Sequence, residues 1–244
     1  MSRLFVACGL LSVLVFNACS DGDVSTTPTS PTSVASITPA TTVLQLAQTQ
    51  AYVLTATTAP TTTTWTSSNT NALTIDEAGN ATAVGVGAST ITATGDAGQT
   101  ATLTVQTVPI YQGDWTGQAT VIACTDLAGF ATAGYCARNL GATQKVTLAL
   151  TQSGLSVAGT ITKSEGANLV NGTVSGTIAA GGDVALTGTL AGLAAGANLQ
   201  LTLISWNSLA DGATMTGNWS GNVTSPQILG MATLQWSLSM QSAP

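Results

Sequence analysis

From Val34 to Val108, apolar and polar residues alternate in short runs: Leu44 and Leu46, then Tyr52, Leu54 and Ala56, then Leu73 and Ile75, Ile91 and Ala93, and Ala101, Leu103 and Val105. A period of two with no helical run predicts short strands packed as a small antiparallel sandwich. Gly79, Gly85, Gly87, Gly95 and Gly98 fall between the runs, where turns favour positive φ. Beyond Pro109 the runs lengthen. Eight strand candidates follow, at 112–122, 144–152, 155–162, 169–179, 183–190, 198–206, 213–220 and 229–240.

Several of these candidates share a degenerate repeat of apolar, small, Gly, then Thr or Asn: Val157–Thr160, Val174–Thr177, Leu186–Thr189 and Met215–Asn218. Alternation sets Val184, Leu186, Gly188 and Leu190 on one face, so the repeated Gly lies on the apolar side. A Gly inside a strand marks a tight bend, a barrel corner or a close approach. Repeated over several strands, it predicts a sheet curling shut. The expected fold class is therefore all-β: a sandwich at 34–108, then a roughly eight-stranded antiparallel up-and-down β-barrel at 109–244. A second β-sandwich is the alternative for the latter.

The N-terminus has a different pattern. Arg3 precedes an apolar run from Leu4 to Phe16, too short to span a bilayer, which needs roughly 20 apolar residues. It fits the hydrophobic region of an export signal. The run ends Phe16-Asn17-Ala18-Cys19-Ser20. This resembles a bacterial lipoprotein signal, in which a small residue precedes an invariant Cys. The resemblance implies a signal peptide at 1–18, lipidation of Cys19, and a membrane partner reached through that anchor. Ser20 after Cys19 implies outer-membrane sorting in Gram-negative lipoproteins. The segment 19–33 carries Pro28 and Pro31 and no apolar period, and reads as a tether. As a coil it would reach roughly 20 Å.

Composition narrows the chemistry. The 244 residues include 4 Lys or Arg, 10 Asp or Glu, and no His. A net charge of -6 supplies no basic footprint, so nucleic acid is not an expected partner. Without His there is no Ser-His-Asp or Cys-His catalysis and no His-ligated metal. With 44 Thr and 21 Ser, the surface is expected to be mostly hydroxyl and amide.

Within 34–108, Trp65-Thr66-Ser67-Ser68-Asn69, Ala72–Asp76, Gly79–Val84 and Gly87–Ala93 resemble the bacterial immunoglobulin-like domain of group 2. That family carries a Trp-x-Ser-Ser strand, a Gly turn after an acidic residue and a Gly-x-x-x-Ile-x-Ala strand. At Ala47–Gln50 this chain lacks the Gly usual in the family. The resemblance implies an immunoglobulin-like sandwich of a kind repeated in bacterial surface proteins and adhesins, often as a spacer. Trp65 is then expected in the core between the sheets. Asp76–Gly79 reads as an acidic turn closed by Gly. In 109–244, Gly113–Gly117 and Thr233–Leu238, with the Gly-bearing strands, are similar in style to lipocalin-like and avidin-like barrels. That likeness covers architecture only and transfers no ligand.

With Cys8 in the signal peptide and Cys19 lipidated, Cys124 and Cys136 are the cysteines left free to pair, and are expected to do so in an exported protein. Asp114, Asp126, Glu165, Asp183 and Asp211 are the barrel's acids. Glu165, Asp183 and Asp211 sit in Gly- or Asn-rich turn contexts and read as solvated turn acids, so no catalytic residue, cofactor or metal site is expected. Trp115, Trp206, Trp219 and Trp236 remain as candidate ligand contacts. They fill the barrel core, or they ring a pocket where inner Gly residues leave room. The expectation is a surface-exposed lipoprotein, not an enzyme. Its role would be structural or adhesive, through a surface protein or glycan partner. A carrier of a small apolar ligand is the alternative.

Overall fold

A computed structural model of the chain describes residues 34–165, 168–194 and 196–243. The expected signal peptide, Cys19 and the tether at 19–33 lie outside the described residues. The described residues are overwhelmingly β and form one compact unit.

The first part holds β1 (Ala35–Thr38), β2 (Val43–Gln45), β3 (Thr49–Ala51), β4 (Val53–Ala56), β5 (Thr63–Ser67), β6 (Leu73–Ile75), β7 (Asn80–Ala83), β8 (Gly87–Gly95) and β9 (Thr100–Val108). A sheet ordered β2-β9-β8-β5 faces strands β3-β7-β6 and the pair β1-β4. All its pairings are antiparallel except β2 with β9. The alternating residues meet between the layers. Leu44, Tyr52, Leu54, Leu73, Ile91, Ala93 and Val105 form the core. Trp65 departs from expectation: it is half-buried at the edge of this core, and Tyr52 is the fully buried aromatic. Gly79 explains the place Trp65 takes, because a Cβ on Gly79 would stand 3.0 Å from the indole Cε2.

The second part is a closed barrel of eight strands: β10 (Gly113–Asp126), β11 (Thr143–Ser153), β12 (Ser156–Glu165), β13 (Asn168–Ile178), β14 (Val184–Ala194), β15 (Ala197–Asp211), β16 (Thr214–Ser225) and β17 (Ile228–Ser242). Each pairs antiparallel with the next, and β17 returns to β10. The repeated glycines do what the alternation implied. An added Cβ on Gly172 would lie 2.7 Å from Leu190 Cα, and one on Gly176 would lie 3.0 Å from Leu186 Cα. Gly159, Gly188 and Gly217 are likewise pressed against the adjacent strand. A carbon–carbon contact settles at about 3.5–4.0 Å, so only Gly lets these strands cross so closely.

The two parts are joined tightly. Val108 is fully buried and belongs to the barrel's core cluster, with Val43 packed against it. Gln152 bridges the joint: its Oε1 accepts the Tyr111 N–H at 2.7 Å and its Nε2 donates to Pro109 O at 3.2 Å. Gln106 Nε2 donates to Ala180 O across the junction at 3.1 Å. The connection at Pro109–Tyr111 is thus hydrogen-bonded to the barrel, and Gln106 adds a contact from the sandwich side.

Candidate functional site

The barrel has two surfaces on which function could rest, and their chemistries are opposite. The inner face is apolar. Val146, Leu148, Leu150, Val157, Ile161, Val174, Leu186, Leu190, Leu201, Leu234 and Leu238 point inward and are buried. The register then sets Trp206 opposite Trp219 and Trp219 opposite Trp236, making a transverse stack on β15, β16 and β17. Ring centroids are 4.8 Å apart for the first pair, edge to face at 72°, and 4.9 Å for the second. All three indoles are buried to within 1%. Trp115, 2% exposed, donates its Nε1–H to Tyr111 O at 2.8 Å.

The four candidate tryptophans are thus core side chains, and three of them touch as a unit. The room expected beside the inner glycines is taken by neighbouring backbone. Trp236 Nε1 donates to Gln144 Oε1 at 2.8 Å. The buried Nε1 atoms of Trp206 and Trp219 have no hydrogen-bond acceptor.

Among the described residues, one charged side chain lies inside, against the expectation of an apolar interior. Lys163, 1% exposed, donates to Gln144 Oε1 at 3.2 Å and sits 5.6 Å from the Trp236 ring. Extending the alternation of Val157, Gly159 and Ile161 by one step would have placed it inward. Gln144 therefore serves two donors with one oxygen, and the indole face helps to offset the ammonium's lost hydration.

Both barrel ends receive aromatic side chains. At the end nearer residue 109, Tyr111 is fully buried. Its hydroxyl lies 2.7 Å from Gly182 O and 3.0 Å from Ser208 O, and accepts the Ala210 N–H at 3.2 Å. Desolvation raises its pKa from 10.0 to about 12, with the nearby Asp183 charge adding to the rise. At the other end, the β10–β11 connection folds into two short helices, α1 (Gly129–Thr132) and α2 (Tyr135–Asn139). Phe130 and Tyr135 meet edge to face at 5.3 Å and join the core cluster. Cys124 and Cys136 form a disulfide with Cα atoms 5.4 Å apart, as expected. Asp126 Oδ2 accepts the Cys136 N–H at 2.8 Å, so this acid holds the staple in place.

The outer face carries hydroxyls and amides. One row crosses six strands by register: Thr160, Thr173, Thr189, Thr202, Asn222 and Thr233. Thr233 Oγ1 donates to Asn222 Oδ1 at 2.8 Å within it. A groove of about 280 Å³ opens on β10, β11 and β12, lined among others by Asp114, Thr116, Thr147, Thr160 and Thr162. The polarity of this wall is the reverse of a membrane-spanning barrel, whose outward band is apolar. Asp114, Asp183 and Asp211 are exposed on separate strands or turns. In the first part, Asp76 Oδ1 accepts the Ala78 and Asn80 N–H groups, and Gly79 takes φ 83. That is an acidic turn closed by Gly. The Asn80 side chain, foremost among these hydrogen bonds, lowers the Asp76 pKa.

An immunoglobulin-like sandwich followed by a closed eight-stranded barrel with a buried apolar interior defines the class of protein. Residues 31–105 match the family Bacterial Ig-like domain (group 2). Domains of that family are typically extracellular or surface-associated, which fits a structural or adhesive role. Compared with curated proteins, the chain matches none. No helix among the described residues is long and apolar enough to cross a membrane.

Proposed function

We propose that this chain is an exported lipoprotein, anchored through Cys19 at the outer membrane, in which the immunoglobulin-like module is a spacer. It presents the barrel to the environment, and the barrel's outer wall makes adhesive contact with a surface protein or glycan. The observation that carries this reading is the inversion just described. The inside is occupied by aliphatic side chains and the Trp206–Trp219–Trp236 stack, while the outside is a neutral field of hydroxyls and amides. Such a wall offers many hydrogen-bonding groups at small desolvation cost compared with charges. The contacts of Gln106 with Ala180 and of Val43 with the barrel core support the spacer role, because a packed connection reduces the orientational freedom lost on contact. The carrier reading keeps one observation in its favour, the acceptor-free indole N–H groups of Trp206 and Trp219.

The test is binding of the full chain to arrayed glycans and extracellular-matrix proteins, with charged side chains introduced on the exposed row. Thr160→Lys and Thr189→Lys should leave the fold intact and abolish contact. Contact that survives both, or a mature protein whose mass shows no acyl chains on Cys19, would contradict the proposal.

A further inference from the structure

The barrel's charges and exposed aliphatic residues are sorted by end. Residues 113–243 expose nine large aliphatic side chains. Six of them gather at the end bearing the disulfide loop: Ile122, Leu127, Leu140, Leu169, Leu193 and Leu229, exposed by 52–83%. Register places them there. Leu127 N–H donates to Met231 O beside Leu229, and Gly141 N–H donates to Val121 O beside Leu140 and Ile122. Leu193 pairs with Asn198 at the β14–β15 turn, and Leu169 pairs with Ser164 at the β12–β13 turn.

Every Lys and Arg beyond residue 3 falls at this same end: Arg138 and Lys145, both exposed, and Lys163 inside. The acids there are Asp126, engaged with the Cys136 N–H, and Glu165 at the end of β12. Asp114, Asp183 and Asp211 lie at the opposite end, and Asp76, Glu77 and Asp96 lie in the sandwich. An acidic chain has thus concentrated its cations beside its exposed leucines.

We propose that this rim is a docking surface for an anionic lipid bilayer. Leucines at separated points around a barrel mouth suit a fluid acyl layer, which closes around each, whereas a protein partner needs one contiguous complementary patch. Arg138 and Lys145 then meet lipid phosphates. A second copy docked rim to rim would instead bring these cations against their own counterparts. The surface is separate from the hydroxyl wall and does not depend on the adhesive reading.

The experiment is vesicle co-sedimentation of the full chain carrying Cys19→Ser, using phosphatidylglycerol and phosphatidylcholine vesicles. The N-terminus is identical in every variant, so differences report the rim. The parent should prefer phosphatidylglycerol, and added salt should weaken it. Arg138→Gln with Lys145→Gln should bind roughly 30-fold less. Leu193→Asp with Leu229→Asp should bind at least about tenfold less to the same vesicles. These side chains are exposed, and an unchanged disulfide and Trp emission verify the fold. Equal binding to both lipids, or binding unaffected by either pair, overturns the proposal. So does a concentration-dependent dimer that Leu229→Asp dissolves without vesicle binding.

Discussion

Replacing Gly176 by Ala tests whether the barrel closes on its glycines or leaves room beside them. The added Cβ would sit 2.8 Å from Ala185 C and 3.0 Å from Leu186 Cα, and closer still to Ala185 O. Relaxing the two carbon contacts alone to about 3.5 Å moves β14 away from β13 by roughly 0.5–0.7 Å, and the Ala185 carbonyl oxygen demands a larger shift. The strand cannot yield alone, because Leu186 is buried and β14 is also paired to β15. Overpacking of this kind costs 1–3 kcal/mol and occasionally more, and a backbone obstacle places it at about 3 kcal/mol. Gly181→Ala is the control. Gly181 has no positive φ, and an added Cβ would meet only Asp183 Oδ2, at 3.5 Å. There, loss of unfolded-state freedom should stabilise by about 0.4–1 kcal/mol. Urea unfolding followed by Trp emission reads the barrel, which holds four of the five tryptophans. A Gly176→Ala midpoint equal to the parent's, or an equal loss in Gly181→Ala, would refute the reasoning.

Three further outcomes are expected. Ala47 takes φ 65, a left-handed conformation costly to any residue with a Cβ, at the turn where the family usually has Gly. Ala47→Gly should therefore raise sandwich stability by about 0.5–1 kcal/mol in calorimetry, and a loss would contradict this. Gln144→Leu removes one acceptor from Trp236 Nε1 and Lys163 Nζ and should cost about 2–4 kcal/mol; adding Lys163→Met should recover most of it. Tyr111 is protonated in the fold with its pKa raised from 10.0 to about 12. Because the raised pKa favours the neutral folded form, its contribution is complete below pH 10 and is lost as pH rises through 12. Tyr111→Phe should flatten that alkaline fall in stability.

Much of the architecture was legible because a strand's period of two is a local property. All eight barrel candidates appear as strands, and the Val184–Leu190 face points inward as the alternation placed it. What local pattern could not supply was register. Nothing in the chain before folding sets Trp206, Trp219 and Trp236 level with one another; bulges, including the shift between Leu203 and Ser205, do that. The glycines were read as bends or as vacant space, and choosing between these needed the position of the next strand. The strand candidate at 155–162 stops short of Lys163, because a charge breaks the apolar alternation that defines it, whereas β12 runs on to Glu165. Trp65 was placed too deep because its half-buried position depends on Gly79, a neighbour only after folding. The helices of the disulfide loop are too short to show a helical period.

If the exterior of the barrel is what acts, its interior must be filled by its own side chains. Native mass spectrometry of the intact chain, purified under oxidising conditions, tests this most directly. A filled barrel should give the bare mass of the protein, with no partner molecule retained. A stoichiometric adduct lost on denaturation, and lost again when Trp219 is replaced by Ala, would contradict it and make the barrel a carrier.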